Sequence, residues 1–132
     1  MLSCRRNMKF LGIDWGKRYI GFAVADNQLL IATPIKSSVR KWKILKKDLY
    51  EIIYSYKINE IVLGFPSIDG KRTKACNEIY SVQDLLKTHF QIPIHLQEEL
   101  CSSIFAYEIT KRPNHSYAAA IILQSYLDIF KG

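Results

Sequence analysis

The feature that most constrains the fold of this chain is the shortness of its first turns. Three apolar runs, Lys9–Trp15, Arg18–Asp26 and Leu29–Ile35, are separated by only two residues each. Parallel neighbours would need a crossover of about a dozen residues or more, so the runs can pair only as an antiparallel meander. Gly16-Lys17 and Asp26-Asn27-Gln28 supply the turn chemistry between them.

The hydrophobic period then changes. Trp42, Leu45, Leu49, Ile52, Ile53 and Tyr56 fall at helical spacing, with Lys43, Lys46, Lys47 and Glu51 on the opposite face. This predicts an amphipathic helix over Lys41–Tyr56, roughly 24 Å long at 1.5 Å per residue. Glu60–Phe65 reads as a short buried strand ended by Pro66, with a loop at Asp69-Gly70. A helix over Thr73–His89, a strand over Pro93–Gln97 and helices over Cys101–Lys111 and Ser116–Phe130 complete the chain. Arg112-Pro113-Asn114 breaks the last two helices, and Asn114 or Ser116 is placed to cap the final one. The order is βββαβαβαα. A meander followed by crossovers implies an α/β fold with a mixed five-stranded sheet: three antiparallel strands, two further parallel ones, and helices on both faces.

At 132 residues this is one domain's worth of chain. Residues 1–7 read as an N-terminal extension that need not be ordered, and residues 8–132 as a single domain. Cys4, Cys76 and Cys101 are odd in number and far apart, which supports neither a disulfide framework nor a zinc site. A reducing, cytoplasmic setting fits them. No apolar run is long enough to span a bilayer. A formal charge of +7 favours polyanionic partners, with nucleic acid foremost.

The residue most suited to chemistry is Asp14, at the carboxyl end of an otherwise apolar central strand. A carboxylate is costly to bury there unless it is paired or metal-bound, and α/β sheets gather ligands at that edge. The competing reading is a turn aspartate beside Gly16. Glu98 and Glu99 follow the last strand, again at a carboxyl end. If the two strands lie side by side, Asp14 and Glu98 can converge as hard oxygen ligands for Mg²⁺ or Mn²⁺; otherwise the glutamates form a solvated loop. Strand–Asp–x–Gly turns also hold phosphate in sugar kinases, but the chain is too short for that two-lobed architecture. Lys17, Arg18, Lys71, Arg72 and Lys74 surround these positions and are candidates for gripping phosphates. The lysines of the first helix read as its solvated face. His89 and His95 read as helix-end and strand-surface groups, and Ala118–Ala120 as a close-packing helix face. Trp15 and Trp42 read as core or half-buried residues, not base-stacking platforms.

Taken together, Leu11-Gly-Ile-Asp14-Trp-Gly-Lys-Arg18 through Asp26, Ile61-Val-Leu-Gly64-Phe-Pro66 with Asp69-Gly70, Glu98 with Leu100, and Ala118 through Asp128 resemble the YqgF (RuvX) family. Its members are called Holliday junction resolvases or pre-16S ribosomal RNA nucleases. The resemblance runs from about Met8 to Asp128. It implies an RNase H-like fold and divalent-metal-dependent hydrolysis of phosphodiesters in structured nucleic acid. The family pattern has three acidic positions. Asp14 matches the first, and Glu98 the second, although Gln97 and Glu99 replace its usual Asp and Arg neighbours. The third, normally Asp at the start of the last helix, is His115. Asp14, Glu98 and His115 are thus the implied catalytic and metal-binding set. The histidine removes a negative charge and favours Mn²⁺ or another transition ion over Mg²⁺.

Two function classes follow. One is a metal-dependent nuclease acting on ribosomal RNA precursor ends, or on branched DNA as a dimer. The other is an RNase H-like module that grips nucleic acid without cutting. Monomer and homodimer both remain open.

Overall fold

The computed structural model describes residues 7–66, 74–98 and 115–131. The predicted helix over Cys101–Lys111 and the Arg112–Asn114 break lie outside the described residues. So do Asp69-Gly70, Lys71, Arg72, Glu99, Cys4, Cys101 and residues 1–6 of the extension.

The elements are β1 (Lys9–Trp15), β2 (Tyr19–Asp26), β3 (Thr33–Val39), α1 (Trp42–Ser55), β4 (Glu60–Phe65), α2 (Lys74–Phe90), β5 (Ile94–Glu98) and α3 (His115–Lys131). The sheet order is β3-β2-β1-β4-β5. β1 pairs antiparallel with β2 and parallel with β4; β2 pairs antiparallel with β3, and β4 parallel with β5. This is the mixed sheet that the turn lengths predict, with β1 at its centre.

Period-2 alternation divides the core in two. Leu11 and Ile13 of β1 join Ile20, Phe22, Ile61 and Leu63 against Leu45, Leu49, Ile79, Val82 and Leu86 of α1 and α2. Phe10 of β1 joins Ala23 and Val62 against Ala119, Ile122, Leu123 and Leu127 of α3. Each buried Leu, Ile or Phe stabilises by roughly 1.5–3 kcal/mol. The second interface is closer, because small residues line it. A methyl on Gly12 would lie 2.7 Å from the Leu123 Cβ and 2.9 Å from the Ala119 carbonyl oxygen. Ala118, Ala119 and Ala120 are all buried, as their close-packing role requires.

The third strand departs most from expectation: it lies later in the chain at both ends, Thr33–Val39 in place of Leu29–Ile35. The Asp26 carboxylate accepts the Gln28 and Leu29 N–H groups, and Leu30 turns back with φ 57° to donate to the Asp26 carbonyl. Gln124 of α3 then holds the next stretch: its Oε1 accepts the Ala32 N–H and its Nε2 donates to the Leu30 carbonyl. Turn chemistry and a distant side chain thus outcompete the apolar run, and Leu29 and Ile31 end up exposed.

Candidate active site at the carboxyl edge of the sheet

Asp14 lies in the row of β1 that faces α3, opposite Gly21 of β2. It is 2% exposed, one of only two polar side chains buried among the described residues. What makes it tolerable there is His115, the first residue of α3, whose Nδ1 lies 2.8 Å from the Asp14 Oδ2. α3 has no acidic residue in its first turn, so the strand supplies the carboxylate that a helix N-terminus favours. Gly21 allows this meeting, since a methyl there would lie 1.9 Å from the His115 carbonyl oxygen.

The Asp14 hydrogen bond chiefly, and its charge secondarily, raise the His115 pKa above 6.5, against an opposing effect of burial. The folded protein therefore holds this proton more tightly than the unfolded chain does. The pair's contribution to stability is fully present below about pH 6.5 and is lost as pH rises through the raised folded value. In EDTA, the gap in thermal midpoint between wild type and His115→Ala is expected to shrink as pH is raised from 5.5 to 9. A gap constant across that range would show that the pair is not linked to folding.

A cleft of about 210 Å³ opens onto the pair, lined among others by Asp14, Trp15, Lys17, Glu78 and His115. Lys17 thus stands beside Asp14 as its sequence position suggests. Arg18 is exposed in the β1–β2 turn, and Lys74 is exposed at the start of α2. Glu78 carries no sequence signal: it is one acid on a helix face, and only the packing of α2 brings it to the cleft. Arg40 ion-pairs with Glu78, makes a long hydrogen bond to the Gly16 carbonyl and sits over the Trp15 ring, 5.3 Å from its centre.

Glu98 is not brought to Asp14. β4 lies between β1 and β5, and Glu98 registers with Phe65, a residue packed on the α1 and α2 side. Alternation thus puts the two carboxylates on opposite faces of the sheet. Among the described residues no three His, Cys, Asp or Glu side chains form a group able to hold a metal ion. Asp14 and His115 nevertheless suit a divalent ion. Neighbouring ligands of a six-coordinate Mg²⁺-sized ion lie about 2.9 Å apart, and such ions often take only one or two protein ligands, with water and substrate phosphate completing the shell.

The other histidines do as their positions suggest. His89 packs on the Trp42 ring, and His95 pairs with Glu60 and stacks on Tyr126. Cys76 is buried, its thiol donating to the Pro66 carbonyl, and no described helix is long and apolar enough to cross a membrane.

The fold is similar to that of RuvC from Thermus thermophilus, solved with a Holliday junction substrate. The TM-score is 0.58 at 16% identity, covering 95% of this chain and 96% of that one. The architecture is therefore that of an RNase H-like α/β domain, here with a buried carboxylate–imidazole pair at its carboxyl edge. Residues 8–129 match the family described as RuvX, Holliday junction resolvase. Two relatives named "Putative pre-16S rRNA nuclease" are similar over nearly their whole length. The one from Maridesulfovibrio salexigens is 33% identical, covering 91% of this chain and 98% of its own; the one from Dictyoglomus turgidum is 32% identical, covering 92% and 94%. The chain belongs to the RuvX family.

Proposed function

We propose that the protein is a divalent-metal-dependent nuclease that hydrolyses phosphodiesters in structured nucleic acid, with the 5′ end of a ribosomal RNA precursor as its substrate and the cytoplasm as its setting. The observation that carries this reading is the buried Asp14 carboxylate, held against His115 at the mouth of a cleft that Lys17 also lines. The names of the full-length relatives support the substrate.

In this reading Asp14 is the primary ligand and His115 its partner. Bound there, Mg²⁺ or Mn²⁺ supplies a water nucleophile at neutral pH and stabilises the leaving oxygen. Lys17, with Arg18, Lys71, Arg72 and Lys74 from the flanking segments, holds phosphates on either side of the cut. The family resemblance adds Glu98, on the same sheet edge two strands away. To join the pair, the end of β5 must turn toward β1.

The deciding experiment is cleavage of a precursor ribosomal RNA fragment and of a four-way DNA junction, each with Mg²⁺, Mn²⁺ or EDTA. Metal-dependent cutting of the RNA is expected. Preference for the junction would instead call for a homodimer, since two symmetric strands must be cut, whereas trimming an RNA end needs only a monomer. One observation favours a second reading, a module that binds without cutting: histidine stands where the family has its third acid. Salt-dependent retardation of both substrates, with no cutting by any ion, would select it.

His115→Asp restores that acid. Two carboxylates in contact repel, so the variant is expected to melt below wild type in EDTA and to gain more from Mg²⁺, by roughly 5 °C or more at saturating metal. An equal Mg²⁺ shift in both proteins would show that position 115 does not face the ion.

A further inference from the structure

Beside the Asp14 cleft lies a second one of about 230 Å³, lined by Trp15, Arg40, Trp42, Leu45 and Leu85. The two clefts share one wall, Trp15. This follows from strand alternation: Asp14 faces α3, and Trp15, the next residue, packs toward the α1 and α2 layer. The chain's two tryptophans both line this second cleft. Both are half-buried, as expected, and both border the same open recess.

Among the described residues the lining is two indoles and two leucines with one cation, Arg40. The Arg40 guanidinium lies 5.3 Å from the Trp15 ring centre, and its other hydrogen bonds keep it at the boundary of the two clefts. A largely apolar cleft lined by two indoles and a guanidinium suits a flat, polarisable group tied to a phosphate. Aromatic faces and arginine planes stack nucleobases without regard to sequence, and the cation serves the attached phosphate. Bases within a duplex are stacked and cannot enter, so the occupant must be unpaired.

Resting on the nuclease reading above, we infer that the Trp15–Arg40–Trp42 cleft is a stacking subsite for one unpaired nucleobase next to the phosphodiester presented to Asp14. The subsite selects substrates with a single-stranded nucleotide beside the cut, such as a frayed end, a loop or an open junction centre, over continuous duplex. It also gives Arg40 a positioning role that its modest surface ion pair with Glu78 does not explain.

The test uses the full chain in EDTA, so that binding is read without turnover. The probes are a hairpin with a short single-stranded tail and the same hairpin with abasic residues throughout the tail. Wild type is expected to bind the first about tenfold more tightly, in line with the stacking of one base. Its tryptophan emission should be quenched by the first hairpin and unchanged by the second. Trp42→Leu should bind both hairpins equally, at the abasic affinity. Equal affinity of wild type for the two hairpins, or an unchanged emission on binding the first, would overturn the subsite while leaving the nuclease reading intact. A wild-type protein that retained neither hairpin would instead overturn the nucleic-acid reading, and the subsite with it. The comparison of tails requires no variant, so a Trp42→Leu protein that fails to fold leaves the test decisive.

Discussion

Asp14→Asn is expected to lower metal-dependent cleavage by about 10²–10³-fold or more, the scale on which removing one preorganised charge-stabilising group acts. The change swaps a negatively charged oxygen ligand for a neutral amide of the same shape, and a hard divalent ion is held far more weakly by it. The fold should tolerate the change. The amide oxygen can still accept a hydrogen bond from the His115 Nδ1–H, and the cost of burying a charge at a position only 2% exposed disappears. Above the raised His115 pKa, where the ring is neutral and no ion pair is lost, unfolding free energy in EDTA should change by about 1 kcal/mol. Cleavage rates measured at saturating Mn²⁺, beside urea unfolding of the same preparation, check both halves. A variant that cuts at the wild-type rate would remove Asp14 from the catalytic role. One that loses activity together with its cooperative unfolding would show that Asp14 acts through the fold.

The second large effect is expected from a residue with no chemistry of its own. Gly21→Ala places a methyl 1.9 Å from the His115 carbonyl oxygen and 2.0 Å from its carbonyl carbon. The obstacle is backbone at the first turn of α3, so no side-chain rotation relieves it. The start of the helix must move away from β2. Overpacking of this kind costs about 1–3 kcal/mol. The displacement also draws the His115 ring away from Asp14, leaving a buried carboxylate without its partner, which adds to the loss. Urea unfolding should register the drop in stability. A stabilised or unchanged Gly21→Ala protein would contradict the close approach of β2 and α3. The activity loss should exceed what the lower stability explains when both proteins are assayed well below their midpoints.

Much of this architecture is legible in the order of residues because it depends on local physics. Connections too short for a crossover, residues 16–18 between β1 and β2 and residues 27–32 between β2 and β3, forbid parallel pairing and dictate the meander. The switch of apolar period from 2 to 3.6 marks α1, and the observed β1 and β4 coincide with their apolar runs. Asp14 stands out for the same kind of reason, as a lone acid at the end of a buried strand. Where the reading slips, a non-local partner decides: β3 starts late because Gln124, far along the chain, takes the hydrogen bonds of the segment before it.

The site divides along the same line. The sequence alone determined which strand carries the carboxylate, which turn carries Lys17 and Arg18, and that histidine stands where an acid is usual. Only tertiary structure decided that His115 meets Asp14 across 101 positions of chain, that Glu98 faces away from them, and that Glu78 and Arg40 border the cleft. Only the packing of the helical layer on the sheet brought Trp42 and Trp15 to one cleft. The physical reason is the pleat. Successive side chains point to opposite faces, so a shift of one residue at a strand end sends a group to the other side of the sheet, and which helix waits there is settled by the packing of the whole core.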